Sequence, residues 1–482
     1  PQRAEASRKG TPVAAILGYG AYVPPGRLDR GAIGTTLGQQ AGRGARSVAS
    51  HDEDTTTLAV EAARVALGRG DVTPTRVLFS TATPTYLDRT NAAVIHAALN
   101  LDPATAAYDF GGAPRSGIGA LTTALDGDAT TLVVAADIRT GLPGSADEIS
   151  GGDAGVAFVV GAGEGIAELV SSASVTAEFL DRWRVPGQSH SRLWEDRFGQ
   201  ASYLPAAQQA VEQALKSAGV AREDVATVVV AGLHERARAA VGKSLGAAPS
   251  SVSESVGNPG TAQPGLFLAE ALDAAKAGDL ILVVTLADGA DALLLRATAA
   301  LEQARTWAPL TETVTRATRS VPYPTFLTWR GMLDREPPRR PDPAPPSPPA
   351  STRHAAWKFA FVAGACASCG VRHLPALQTC MSCGHVGDME PVPLAGTRGS
   401  VVTYTVDRLT YSLSPPVIAV VVDFDGGGRF QTELTDAGAD DVAIGDRVEM
   451  TFRRFFQAGN GIANYFWKAR PMTGEPLTGE DV

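Results

Sequence analysis

The sequence predicts an α/β fold of helices layered on mainly parallel sheets, followed by a smaller all-β part that carries a metal site. Three observations lead there. Apolar runs of strand length alternate with helix-length amphipathic segments over the first ~300 residues. A run of eight prolines, EPPRRPDPAPPSPPAST over 336–352, then breaks the pattern. Beyond it, all four cysteines of the 482-residue chain fall within 18 residues, as Cys366-Ala-Ser-Cys369 and Cys380-Met-Ser-Cys383.

In the N-terminal part, strands are predicted at Ala14–Gly18, Arg76–Ser80, Thr131–Ala136, Gly155–Val160, Val225–Ala231 and Leu280–Leu286. Helices are predicted at Thr55–Leu67, Pro205–Ala218, Glu235–Leu245 and Gly265–Ala277, with Pro205 opening one helix and Gly219 closing it. Continuous apolar strands between helices imply a sheet covered on both faces. An internal repeat is visible as well. Thr131–Ala136 and Gly155–Val160 flank the turn at Gly151-Gly152-Asp153, and Leu280–Leu286 and Ala292–Arg296 flank Ala287-Asp288-Gly289-Ala290-Asp291. Duplicated α/β halves account for this pattern; a chance match of common βαβ parts is the rival reading.

The proline run reads as a semi-rigid polyproline II spacer in preference to a ligand for a partner. The cysteine pairs read as Zn²⁺ ligands: each CxxC puts two thiolates on one turn, and Gly370 and Gly384 let the backbone bend toward the metal. Four thiolates leave no position for a reacting water, so the expected role is structural. His373 and His385 are alternative ligands nearby, and two local disulfides are the competing arrangement. After the cluster come short strands at Gly399–Asp407, Pro416–Asp423, Gly428–Glu433, Asp446–Phe455 and Ile462–Ala469, which suggest a closed barrel of OB type. The chain thus divides into a flexible N-terminus (1–11), an α/β region (12–335) with halves of about 12–170 and 171–335, a linker (336–352), a ribbon (353–392), a barrel (393–472) and a tail (473–482).

Composition removes some function classes. A net charge of −9 argues against a general phosphate-backbone binder. Residues 351–482 carry 11 basic against 14 acidic side chains, a net of −3, so the barrel lacks the usual basic footprint of a nucleic-acid module. No apolar run reaches the length of a membrane span. The polar start has no apolar signal core, and the expected location is the cytoplasm. Gly18-Tyr-Gly20 lacks the third glycine of a dinucleotide fingerprint.

Several motifs together make residues 12 to about 335 resemble the thiolase superfamily, in its ketoacyl synthase III and hydroxymethylglutaryl-CoA synthase branch. They are Ile16-Leu-Gly-Tyr-Gly-Ala-Tyr-Val-Pro24, His51-Asp-Glu-Asp-Thr-Thr-Thr-Leu-Ala-Val-Glu-Ala-Ala63, Asp181-Arg-Trp-Arg184 with Arg197-Phe198 and Tyr203, His234, Gly257-Asn258-Pro-Gly260-Thr-Ala262, and Gly278-Asp-Leu280. Residues 355 to 470 resemble the zinc-ribbon plus OB-fold proteins that accompany such enzymes.

The resemblance implies a thioester substrate carried on CoA or an acyl carrier, and a homodimer or a complex with a thiolase-type partner. It assigns His234 and Asn258 as neutral donors to the thioester oxygen. The family's nucleophilic cysteine falls on Pro114, Arg115 or Ser116 here; Ser116 is the only hydroxyl, and a helix-start cap is its other reading. Ala237 stands where ketoacyl synthases III carry Asn three residues after the histidine. Tyr86, Asp88 and Glu148 are candidate bases, and His51 and His96 read as structural. The resemblance implies enolate chemistry on an acyl-CoA carbon–carbon bond without a cysteine, with a non-catalytic acyl-CoA-binding subunit as the alternative.

Overall fold

The computed structural model describes residues 14–68, 72–247, 249–304, 310–315, 318–339 and 344–472. The expected flexible start and tail lie outside these residues.

Nine strands form one large sheet: β1 (Ala14–Tyr22), β2 (Arg76–Ser80), β3 (Ala106–Asp109), β4 (Thr131–Ile138), β5 (Asp153–Ala162), β6 (Ala167–Thr176), β7 (Val225–Gly232), β8 (Leu280–Leu286) and β9 (Gly289–Ala297). Their order is β7-β8-β9-β6-β1-β5-β4-β2-β3. The sheet is mixed, which corrects the expectation of a mainly parallel one. Only β7/β8, β4/β2 and β2/β3 run parallel, and the five pairings between them are antiparallel. The cause is connection length. β8 and β9 are joined by the two residues Ala287 and Asp288, and β4 and β5 by residues 139–152, whose only helix is the five-residue Ala146–Ser150; neither link holds a long crossover helix that would return the chain parallel.

The order also resolves the internal repeat. The run β1-β5-β4-β2 has the same sequence of strand senses as β6-β9-β8-β7. The halves meet where β1 pairs with β6, Ala15 opposite Glu168 and Ile16 opposite Ala167.

Helix α1 (Thr55–Leu67) follows β1, and α3 (Asp196–Ala218) follows β6; α2 (Arg115–Leu125) precedes β4, α4 (Glu235–Leu245) follows β7, and α5 (Gln263–Ala274) precedes β8. Ile118, Leu121 and Leu125 of α2 share one buried cluster with Leu266, Leu268 and Leu272 of α5 and with Val133, Val156 and Leu293 of the sheet. These two helices are therefore the central layer. Outside it, α3 packs Tyr203, Ala207, Ala210 and Ala214 on β7–β9. Pro205 lies inside α3 instead of opening it. The helix starts nine residues earlier, at Asp196, because proline was read as a start signal where a long helix absorbs it.

Helix α1 begins with a capping box between Asp54 and Thr57. Most of its side chains are buried, because a second body covers the face turned away from the sheet. That body is a closed five-stranded barrel of β10 (Gly399–Asp407), β11 (Val417–Phe424), β12 (Arg429–Leu434), β13 (Arg447–Gln457) and β14 (Ala463–Pro471), in the order β10-β11-β12-β14-β13. Its interior, with Val420, Phe452 and Trp467, merges with the α1 core into one cluster.

Before the barrel, Val362–Cys366, Arg372–His373 and Met389–Pro393 form the three-stranded ribbon that carries the cysteines. The proline run was expected to be a polyproline II spacer throughout. Its end is not: Pro348–Arg353 is helical, with Pro348 and Pro349 in the first turn, where a missing N–H costs nothing.

Candidate functional site

The chemistry-bearing residues of the α/β body collect at the carboxyl ends of β2, β4 and β7. Strand β7 ends at Gly232, and His234 caps α4 two residues later. The Nδ1 atom of His234 accepts the Ala237 N–H at 3.2 Å. A ring nitrogen that accepts is unprotonated, so the neutral imidazole carries its proton on Nε2. The ring packs edge-on against Tyr203 at 5.7 Å, and Tyr203 packs against Phe179 at 4.8 Å. The Tyr203 hydroxyl donates to Asp181 at 3.3 Å. Burial raises the Asp181 carboxyl, with the nearby His234 opposing it, and burial also raises the Tyr203 phenol.

Asn258 is held by the backbone on every side. Its Nδ2 donates to the Gly232 carbonyl at 2.9 Å, and its Oδ1 accepts the Gly260 N–H at 3.0 Å. Its own N–H donates to Ser150 O, and its carbonyl accepts from Gly152 N–H. The residue thus ties the end of β7, through its side chain, to a loop of the first half, through its backbone. It reaches the His234 segment through Gly232, and one Nδ2 hydrogen is left over.

A carboxylate that sequence reasoning missed organises the same face. Asp137, at the end of β4 and fully buried, accepts from Thr81 Oγ1 at 2.9 Å, Ala82 N–H at 2.7 Å and Thr261 N–H at 2.8 Å. The Arg184 guanidinium donates to the Ala82 carbonyl. Within a strand, Asp137 carries no pattern that separates it from a solvated acid.

Of the three residues expected around the missing nucleophile, Pro114 occupies the cap of α2. Arg115 is locked onto Asp291 at 2.8 and 3.0 Å and onto the Asp288 carbonyl at 2.8 Å. Ser116 lies in the first turn of α2 and does not cap it, since Pro114 holds the cap without a side-chain bond; its Oγ accepts the Ala113 N–H at 3.5 Å.

The candidate bases go elsewhere. Tyr86 accepts the Ala463 N–H of β14 at 2.9 Å and so belongs to the barrel contact. Glu148 is fully buried, accepts Gly144 N–H at 2.6 Å and the Tyr323 hydroxyl at 3.1 Å, and is raised by burial. Asp88 is exposed. His96 Nε2 bonds the Asp102 carbonyl at 2.9 Å, the structural role expected of it.

The four cysteine sulfurs lie within 4.8 Å of one another. Cys366–Cys383 are 3.7 Å apart and Cys369–Cys380 3.6 Å. Tetrahedral Zn²⁺ with Zn–S bonds of about 2.3 Å requires sulfurs roughly 3.8 Å apart, so this set can hold the ion. Gly370 and Gly384, at φ +74 and +73, close the two turns. His373 Nε2 sits 3.3 Å from Cys380 Sγ, as a neighbour of the thiolate. The Cys383 backbone N–H, then the His373 ring, hold the Cys380 thiol down at about 5.

A third cluster lies where the barrel meets α1. Arg453 is fully buried and reaches Glu53 at 2.8 Å, Asp436 at 2.6 Å and Asp52 at 3.4 Å. Lys468 binds Asp52 at 3.0 Å and Glu433 at 2.8 Å, and Arg470 binds Glu61 at 3.1 Å. Tyr465 donates to Asp54 at 2.7 Å. Beside Glu53 is a cavity of ≈ 190 Å³ lined by His51, Arg319, Trp329, Ser414 and Asp436. Thus His51 to Asp54, the start of the motif that runs into α1, form the docking face of the barrel.

The duplicated strand–helix halves and the appended barrel define the thiolase superfamily fold joined to an OB fold. The "ChsH2, C-terminal OB-fold domain" family model matches residues 391–453. Hydroxymethylglutaryl-CoA synthase of Methanopyrus kandleri is 30% identical over 319 residues, 62% of this chain and 91% of the relative. That of Aeropyrum pernix is 30% identical over 344 residues, 66% of this chain and 95% of the relative. The chain belongs to the hydroxymethylglutaryl-CoA synthase family. Among solved structures, an HMG-CoA synthase complexed with CoA matches with a TM-score of 0.56 at 18% identity, covering 65% of this chain and 89% of its own. The 3-oxoacyl-[acyl-carrier-protein] synthase III of Aquifex aeolicus matches at 0.52 and 22%, covering 59% and 99%. The curacin-pathway HMG synthase with apo donor-ACP matches at 0.55 and 16%, covering 66% and 88%. Among the described residues, no helix is long and apolar enough to cross a membrane.

Proposed function

We propose that this chain is an acyl-CoA enzyme that makes or breaks a carbon–carbon bond beside the thioester carbonyl, through an enolate and without a cysteine nucleophile. Family membership supports the enzyme class, and the CoA and donor-ACP in related structures support a thioester on CoA or an acyl carrier. The sequence supplies the rest: no cysteine exists outside 366–383.

The observation that carries the reading is the fixed tautomer of His234, whose Nδ1 is occupied by Ala237 N–H. Nε2–H is then a neutral donor. When solvent water or a basic group of the substrate takes the α-proton, or when the bond from the α-carbon to a departing carbonyl carbon breaks and leaves its electron pair behind, that pair moves onto the thioester oxygen. Nε2–H and the spare Nδ2 hydrogen of Asn258 would hold that oxygen. In a dry site such a donor contributes about 3 kcal/mol. The zinc held by Cys366, Cys369, Cys380 and Cys383 would fold the ribbon and take no part in the reaction.

A second reading, a non-catalytic acyl-CoA-binding subunit, is favoured by Arg115. Its lock on Asp291 lies within Pro114–Ser116, the stretch in which the resemblance puts the family's nucleophile.

Replacing His234 with Ala should lower turnover of an acyl-CoA about 100-fold while the fold persists. Full activity in that variant would favour the binding subunit.

A further inference from the structure

We propose that Gly199 is a positioning residue for His234, and that its missing side chain is what seats the imidazole. The inference rests on reading His234 as the donor to the thioester oxygen. Glycine is the poorest helix former after proline, yet Gly199 is buried in the first turn of α3. A Cβ built there would lie 2.4 Å from His234 Cδ2 and 2.5 Å from Nε2; the next neighbour, Asp181 Cβ, is 3.3 Å away. The imidazole therefore occupies the space a side chain would fill.

The backbone at 199 has little room to retreat. Gly199 N–H bonds Glu195 O at 3.3 Å, and Tyr203, Ala206, Ala207 and Ala210 anchor α3 on the sheet. The ring is the movable part, because it ends a side chain with two free torsions. On its other sides it is held by Ala237 N–H at Nδ1 and by the edge of Tyr203. Any residue larger than glycine at 199 would push the ring off this seat and break the Nδ1 bond. Both tautomers would then be open, and Nε2–H would no longer be aimed.

The test is Gly199→Ala in the full-length zinc-loaded chain, read by ¹⁵N-resolved NMR of the histidine ring and by acyl-CoA turnover. The His234 nitrogen shifts should leave the single-tautomer pattern, and kcat should fall at least about tenfold with KM little changed, while circular dichroism stays native. In a His234→Ala background, Gly199→Ala should cost no further activity. Unchanged His234 resonances in Gly199→Ala would overturn the proposal. If Gly199→Ala fails to fold, the double variant Gly199→Ala/His234→Ala should fold, and its failure would overturn the proposal equally. Should His234→Ala retain full turnover while Gly199→Ala still shifts the ring resonances, the donor reading falls and the seating role stands.

Discussion

Replacing Glu53 with Gln should make the chain less sensitive to pH, because Glu53 is the odd carboxylate at the barrel junction. One guanidinium, Arg453, faces Asp52, Glu53 and Asp436, and Lys468 adds its charge mainly to Asp52 and Glu433. Burial therefore dominates at Glu53 and raises its carboxyl from 4.5 to about 7, against the pull of Arg453. A carboxyl whose folded value is raised binds its proton more tightly in the folded state. The stability it contributes is complete below about pH 4.5 and is lost as pH rises through about 7. The rise from 4.5 to about 7 corresponds to about 3 kcal/mol.

Glutamine mimics the protonated side chain. Glu53→Gln should match the parent near pH 4.5 and exceed it by up to about 3 kcal/mol at pH 8. Burial also raises Glu148 and Asp181, which slope the same way in both proteins and cancel in the difference. Asp52 is held low by Lys468 and Arg453 against its own burial, so its loss falls below its ordinary 3.8, outside the window. Urea denaturation of both proteins at pH 5, 6, 7 and 8 reads the gap directly. A gap that stays constant, or that grows toward low pH, refutes the charge imbalance at this junction.

Other outcomes follow from the same contacts. Chelation should remove one zinc per chain and unfold the ribbon around Cys366–Cys383, seen as four newly reactive thiols; zinc-free native protein or disulfides at these positions would contradict this. Cleavage within the Pro-rich linker should leave two fragments that co-elute in gel filtration, because Arg453, Lys468, Arg470 and Tyr465 pin the barrel to α1; separation without denaturant would show the junction to be weak. Asn258→Ala should lose both activity and about 1–3 kcal/mol of stability, since Gly232 O and Gly260 N–H lose their partner, whereas His234→Ala should chiefly lose activity; equal thermal stability of the parent and Asn258→Ala would deny the clamp.

What was legible in the sequence follows from how local each signal is. Helix Thr55–Leu67 carries a cap and a sustained period, and Glu235–Leu245 a cap and a closing Gly246; both end where the pattern says. The barrel strands alternate with a half-buried period of two, as in Val417–Phe424, and were found to within two residues at each end. Strand direction was not legible, because apolar runs such as Leu280–Leu286 look alike in parallel and antiparallel sheets. No motif or spacing singles out Arg453 and Lys468 among the charged residues of the barrel strands. Only the docking of the barrel on α1 buries them, and that contact joins residues some 400 positions apart. At the candidate site, the fold family pointed to His234 and Asn258. Asp137 and Gly199 act through tertiary neighbours, and no residue spacing announces them.

The central claim is an enolate formed without a covalent acyl-enzyme. It is tested most directly by incubating the purified, zinc-loaded chain with an acyl-CoA in D₂O, following loss of the α-proton signal by NMR and recording the intact protein mass. The account predicts α-proton exchange that depends on His234, with the protein mass unchanged. A stable acyl adduct mapped to Ser116, or the absence of exchange in an otherwise folded chain, would contradict it.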